Sequence, residues 1–263
     1  MKADLHIHSY YSDGGMSPAE ALSLAKANGV DLIALTDHDT MAGCGEIAAV
    51  RGVEISAYDN DTKVHVLCYN PNGNIDGFLK SLFEGSFKRT EDIIYKLNMA
   101  GVAITFDEVE AERFSRETPI HAMHIARVGA RKGYASTPFA FYEKYLALGG
   151  AAFSNIFRPS PEEAVEVINA AGGLSSLAHP GRIDLPPEEL KKLIKRMKLC
   201  GLGGIEAVYS SHTFKETAYY KELAKEYGLL ITGGSDTHYK GGSKTIGEPD
   251  FQPSEELLQK LGI

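Results

Sequence analysis

The chain is poor in several features that mark whole classes of protein. It holds only three cysteines in 263 residues, Cys44, Cys68 and Cys200, an odd number without CxxC spacing. That argues against a disulfide framework and favours a reducing compartment. No stretch approaches the roughly 20 apolar residues of a membrane span, so no membrane partner is expected. Positive charge is also in deficit, with 27 Lys and Arg against 35 Asp and Glu, a net charge of −8. The basic residues are dispersed rather than blocked. A long nucleic-acid footprint needs a basic surface to displace counterions, and none is seen. A mononucleotide needs only local positive charge, which bound metals can supply. The first apolar run starts within a few residues of Met1, leaving no room for a signal peptide, so a cytoplasmic location is expected. No obligatory protein partner is evident.

What is present is a regular alternation of apolar β-branched runs and capped helices. Ser17-Pro18-Ala19-Glu20 opens a helix that stops at Asn28-Gly29, with a capping serine, a first-turn proline and a glutamate three residues after the cap. Leu32 to Thr36 reads as a buried parallel strand. The same grammar returns at Ser160-Pro161, with a strand at 174–178, a helix at 187–201, a strand at 204–209, a helix at 213–228 and a strand at 229–232. Repeated βα units predict a parallel sheet closing into a barrel. Residues 74–155 break the rhythm with helix-like stretches at 78–100 (interrupted at Gly85), 121–132 and 139–148. They are expected to form a helical cap over a barrel built from 1–73 and 156–263. Mere stabilisation of the barrel edge is the alternative.

Histidines and carboxylates recur at or near the C-terminal ends of these runs, where parallel barrels keep their chemistry. His6 and His8 are two apart in an extended segment, so both rings face one side, and Asp13 follows the strand. His38 closes the second run, Glu54 the third and His65 the fourth; His179, Asp236 and His238 end later ones. A lone strand histidine is ordinarily a hydrogen-bonded core residue. Six buried together without partners would cost several kcal/mol, so coordination is the better reading. Nine ligands without thiolate imply two or three divalent ions of Mn, Fe or Zn type.

These residues lie in DLHIHSxxSDG, LTDHD, GVEIS, HVLCY, LAHPGR, a Gly-Ile-Glu strand and GSDTH. In that order they resemble the PHP (polymerase and histidinol phosphatase) metal-dependent phosphoesterases almost end to end across the barrel. The resemblance implies a distorted seven-stranded (β/α) barrel of TIM-like type with a trinuclear site. His6, His8, Glu54 and Asp236 would hold one metal and Asp13, His38 and His238 a second. Glu54, as a bridge, would join His65 and His179 around a third. Within the family the chain is most similar to the nucleoside 3′,5′-bisphosphate phosphatase-like subgroup, through His124-Ile-Ala-Arg127, Phe141-Tyr-Glu-Lys-Tyr145, Ala178-His179-Pro180-Gly181-Arg182 and Ser210-Ser211-His212-Thr213. Two departures stand out. Before His124 the subgroup usually carries Gly-Arg-Pro, and this chain has His121-Ala122-Met123, without the basic residue. The stretch between Thr40 and Gly52 is also short.

The expected activity is hydrolysis of a phosphate monoester of a small nucleotide, AMP or a nucleoside 3′,5′-bisphosphate, by metal-activated hydroxide. Histidinol-phosphate-type phosphatase or short-oligonucleotide exonuclease activity is the alternative, and a non-catalytic metal-binding module a third reading. His38, His212 and Asp236 are candidate catalytic residues. Arg182, His124 and His212 are candidates for binding substrate phosphate; a surface ion pair for Arg182 and plain solvent exposure for the histidines are the alternatives. Asp37 and Asp39 are expected to orient ligands rather than react; Glu206 could orient ligands or act as a base, with a buried hydrogen-bonded carboxylate as the alternative. Phe139, Phe141 and Tyr145 could stack a base, with helix-core packing as the alternative.

Overall fold

A computed structural model describes residues 1–73 and 75–263. Seven strands form one sheet in sequence order: β1 (Ala3–Ile7), β2 (Leu32–Leu35), β3 (Val50–Asp59), β4 (Thr62–Tyr69), β5 (Leu174–Leu177), β6 (Gly204–Tyr209) and β7 (Leu230–Gly234). The sheet curls until its edges meet. Asp236 N donates to His6 O at 2.7 Å and His8 N to Thr237 O at 3.0 Å. The helices are α1 (Pro18–Ala27), α2 (Asp76–Met99), α3 (Phe106–Glu110), α4 (Ala122–Arg131), α5 (Pro138–Phe141), α6 (Pro161–Ala170), α7 (Pro187–Leu199), α8 (Phe214–Tyr227) and α9 (Glu255–Lys260). The result is a nearly closed seven-stranded α/β barrel of TIM-like type.

Local chemistry explains the element boundaries. Ser17 and Glu20 form a reciprocal capping box at the start of α1, and Thr213 and Glu216 do the same for α8. Both satisfy backbone donors that a helix N-terminus leaves free. Apolar side chains from α6, α7 and α8, such as Ile168, Leu193 and Leu223, pack on Val66, Leu177 and Ile205 of the sheet.

The all-parallel expectation fails at one strand. β3 and β4 form an antiparallel hairpin with Ser56 opposite His65, and β4 is antiparallel to β5 as well. Only two residues, Asn60 and Asp61, separate the two strands, too few for the helical crossover that a parallel pair requires. β3 therefore does not stop just past Glu54 but continues to Asp59. His65 lies in the N-terminal half of β4, and because β4 runs the other way, that half reaches the same barrel mouth.

Helices α2 to α5 enclose a core of their own, with Leu97, Ile104, Ile120, Ile125 and Phe141 fully or almost fully buried in it. Gly85 does not interrupt α2, as its sequence suggested. The helix runs straight through, and a Cβ there would come within 2.9 Å of the Phe157 side chain. The predicted helix at 139–148 is instead the four-residue α5 followed by a π-helical turn, Tyr142–Leu146. The short stretch after Thr40 holds a single 3₁₀ turn, Ala42–Gly45. Among the described residues no helix is long and apolar enough to cross a membrane.

Candidate active site

Pleating aims His6 and His8 the same way from β1, and their Nε2 atoms stand 3.2 Å apart, both rings fully buried. Glu54 lies at the centre. Its Oε2 is 3.3 Å from His6 Nε2, 3.2 Å from His8 Nε2 and 3.0 Å from His38 Nδ1. Its Oε1 is 2.7 Å from His65 Nδ1 and 2.9 Å from His179 Nε2. Asp236 Oδ1 lies 3.2 Å from His8 Nε2 and 3.4 Å from His238 Nδ1, and Asp13 Oδ1 is 3.2 Å from His238 Nε2. Ligand atoms converge in three groups: His6, His8, Glu54 and Asp236; His8, Asp13, His38 and His238; and His38, Glu54 and His65. The first two contain the sets implied by family resemblance, the second with His8 added. In the third, His38 takes the place expected of His179, whose Nε2 is nonetheless 3.3 Å from His65 Nδ1.

This arrangement fits divalent cations better than it fits itself. Asp13 Oδ1, His38 Nδ1, Glu54 Oε2, His65 Nε2 and His179 Nδ1 are buried and lack any aligned hydrogen bond. Five such atoms in one site would be costly unless a cation takes up their lone pairs. Two candidate ligand residues also hold left-handed backbones, His179 with φ 25° and Asp236 with φ 55°, a strain of about 1–3 kcal/mol each that collects at functional sites. The donor set of imidazole and carboxylate without thiolate suits Mn, Fe or Zn.

The electrostatics prepare the groups for that role. Burial works to raise the Glu54 carboxyl pKa, but His65, His6 and His38 around it hold it well below the ordinary range. Asp13 and Asp236 are likewise held low by neighbouring histidines against the effect of burial. Burial depresses His38 and takes His65 to about 4, keeping both imidazoles neutral. His8 goes the other way: burial opposes its charge, but Asp236 and Glu54 raise it to about 10.

Glu206 positions two candidate ligands at once, 2.9 Å from His6 Nδ1 and accepting from the His179 backbone N–H at 2.7 Å. With Nδ1 donating, His6 Nε2 is left free to coordinate. Asp37 accepts from Ser9 N, Ser9 Oγ and Ser12 Oγ and so fixes the loop between His8 and Asp13. Asp39 departs from expectation. It binds Ser56 N and the Arg158 guanidinium rather than a candidate ligand. Arg182 reaches the site, 3.2 Å from Tyr209 Oη and 3.9 Å from Asp236 Oδ2.

Two candidate phosphate binders are committed elsewhere. His124 is buried, accepting from His121 N at 3.1 Å through Nδ1 and donating to Ser12 O at 3.1 Å through Nε2. It ties α4 to the loop that carries Asp13 and has no nitrogen left for substrate. His212 accepts from Gly181 N through Nε2 and donates to Ala207 O through Nδ1, its ring wedged between Tyr209 and Tyr220. Neither ring lines the cavity above the cluster, so the catalytic and phosphate roles expected of His212 and the phosphate role of His124 do not fit the geometry.

That cavity, of about 510 Å³, is lined by residues of the barrel mouth and of helices α2, α4 and α5. It contains cations that motif reading passed over: Lys63, Arg89 and Arg158 join Arg182 in its wall. Lys63 is two residues before His65 on β4 and hence on the same face. Arg89 falls on the buried stripe of α2 with Leu82, Ser86, Ile93 and Leu97, a charged residue where helical periodicity calls for an apolar one. It is 5 % exposed and its Nε finds no hydrogen-bond partner. His121, also left aside in the sequence, is buried in the same wall with Nε2 unpartnered, and burial takes its pKa to about 3.

Known proteins bear on the family. The PHP domain profile matches residues 4–82. A 3′,5′-nucleoside bisphosphate phosphatase of Chromobacterium violaceum is 33% identical over 95% of this chain and 92% of its own. A 5′-3′ exoribonuclease of Haemophilus influenzae is 33% identical over 94% and 93%. A solved structure described as an amidohydrolase from Chromobacterium violaceum, with bound sulfate and no metal, superposes with a TM-score of 0.86 at 31% identity, covering 98% of this chain and 96% of that one. Barrel, clustered imidazoles and carboxylates, and full-length likeness agree: the chain belongs to the PHP family of metal-dependent phosphoesterases, hydrolases of phosphoric ester bonds.

Proposed function

We propose that the substrate is the phosphate monoester of a small nucleotide, AMP or a nucleoside 3′,5′-bisphosphate. The observation that carries this reading is the cationic wall. A single scissile phosphate can be neutralised at the metal cluster and Arg158 is already paired with Asp39, so Lys63 and Arg89 in the same cavity are surplus unless the substrate brings a second anionic group. Arg89 supports it most, because a buried guanidinium with an unsatisfied Nε is otherwise a cost.

In this reading two or three divalent ions of Mn, Fe or Zn type are held by the nine residues His6, His8, Asp13, His38, Glu54, His65, His179, Asp236 and His238. When bound, they supply charge compensation for the phosphoryl oxygens and lower the pKa of water. The protein's own part is positioning. Glu206 fixes His6 and the His179 backbone, Asp37 fixes the loop ahead of Asp13, and Arg182 offers a guanidinium to a non-bridging oxygen. Water adds to phosphorus, the ester P–O bond breaks, and the departing oxygen takes up a proton, giving an alcohol and inorganic phosphate. The helical insertion acts as a cap that excludes water and limits substrate length.

The test is phosphate release by manganese-loaded protein from adenosine 3′,5′-bisphosphate, AMP, a short 5′-phosphorylated oligonucleotide, histidinol phosphate and p-nitrophenyl phosphate. Highest kcat/KM on the mononucleotides is expected. Turnover confined to histidinol phosphate, or to the oligonucleotide, would replace the mononucleotide reading.

A further inference from the structure

We propose that Phe139, at the lip of the cavity, is the stacking face for the nucleobase of the substrate. This rests on the nucleotide reading above and adds a residue and a contact to it. The cap contains four aromatics within seven residues, Phe139, Phe141, Tyr142 and Tyr145, and the fold separates them, with Lys63 lying over the Tyr142 ring. Phe141 is fully buried in the cap core, against a glycine on α4 where a Cβ would come within 2.1 Å of its ring. Tyr145 packs on Phe141 with ring centroids 4.7 Å apart. Those two complete the cap. Phe139 is 60 % exposed and faces the cavity that holds the ligand cluster.

The surroundings make this more than a stray surface phenylalanine. The π-helical turn closes with Ala147 N donating to Tyr142 O at 2.9 Å, and π turns of this kind recur at functional sites. The turn widens the chain so that Tyr142 and Leu146 both join Phe139 in the cavity wall. From α4, Ala122 and Met123 extend the same apolar surface. The cavity thus has two ends of opposite character, histidine and carboxylate at the floor and an aromatic, sulfur-bearing lip on the cap. A phosphate joined through a sugar to a planar heterocycle has that polarity. A bare sugar phosphate would leave the lip wet. An aromatic face recognises any base through its π system and discriminates little among them.

The experiment compares AMP with ribose 5-phosphate, which differ only in the base. In manganese-loaded Phe139→Ala, KM for AMP should rise roughly tenfold, the worth of one base–aromatic stack, with kcat within about twofold. The constants for ribose 5-phosphate should not move. A second variant reads the contact without turnover. The chain contains no tryptophan, so Phe139→Trp creates a single reporter in the same place. Its emission should be quenched saturably by adenosine, which carries no phosphate to hydrolyse, and left unchanged by ribose. An unaltered KM ratio in Phe139→Ala overturns the proposal. If wild type still prefers AMP to ribose 5-phosphate in that case, the stacking face alone is wrong. If wild type shows no such preference, the nucleotide reading fails with it.

Discussion

Replacing Glu206 with glutamine tests whether the ligand cluster depends on this one carboxylate. The side chain is fully buried, and its two oxygens have separate duties, 2.9 Å from His6 Nδ1 and 2.7 Å from His179 N. Glutamine keeps the shape but turns one oxygen into an NH2 group. Whichever way the amide sits, one of the two donors then faces another donor. Losing a hydrogen bond to a charged group costs about 1.5–3 kcal/mol, which in a domain of this size lowers Tm by roughly 3–12 °C. The effect on the ions should be larger than on the fold. With Nδ1 no longer held as the donor, His6 loses the fixed tautomer that leaves Nε2 free. Disturbing such a partner typically weakens metal binding about 10–100-fold. Differential scanning calorimetry in chelator measures the first effect, and competition of manganese against a calibrated chelator measures the second. A variant that binds manganese as tightly as wild type, and melts with it in chelator, would refute the argument that Glu206 sets the geometry of both histidines.

The other perturbations use the same geometry. Arg89→Met removes a buried cation while keeping its length, so KM for adenosine 3′,5′-bisphosphate should rise roughly 10–150-fold, the range for a lost charged hydrogen bond. Its metal-loaded kcat on p-nitrophenyl phosphate should stay near wild type; an unchanged KM for the bisphosphate would remove Arg89 from the substrate site. Metal-free protein should lose stability in acid. His65 and His124 are depressed to about 4 and His121 to about 3, each chiefly by burial, so unfolding takes up protons below the ordinary histidine range. Their contribution is present above about pH 6.5 and is lost as pH falls toward 4 and then 3, at roughly 1.4 kcal/mol per pH unit for each ring. Denaturant midpoints that stay flat over that window would contradict it. Metal uptake at neutral pH should release protons, because His8, raised to about 10 by Asp236 and Glu54 against its burial, is protonated in the metal-free cluster. Calorimetric titration in buffers of different ionisation enthalpy measures the number released, and none would show that His8 is already neutral.

The barrel and the clustering of histidines and carboxylates at its mouth were legible because both are written in local periodicity. His6 and His8 share a face by the pleat of one strand, and Ser17, Ser160 and Thr213 start their helices through hydrogen bonds reaching only three residues ahead. The reversed strand is less visible in an apolar pattern, since a β-branched run reads alike in either direction. Its signal is the two-residue gap between Asp59 and Thr62, too short for any crossover. The roles that moved, His124, His212 and Asp39, depend on which backbone group or guanidinium arrives from a distant element. His124 is bonded to Ser12, 112 positions away, and Asp39 to Arg158, 119 away. No spacing rule reaches that far.

Arg89 is the instructive intermediate. Its guanidinium reaches Ile120 O, 31 positions away, at 3.5 Å, but its oddity is local: an arginine on the stripe shared by Leu82, Ile93 and Leu97 must either bend to solvent or enter a cavity. The fold takes the second course and leaves Nε unsatisfied. In a chain with net charge −8, the positive charge that matters is therefore not a surface feature that a count of lysines and arginines can reveal. It is a small number of cations in the wall of the cavity above the histidine and carboxylate cluster. A misplaced charge on an apolar helical face is the sign by which they could have been found in the sequence.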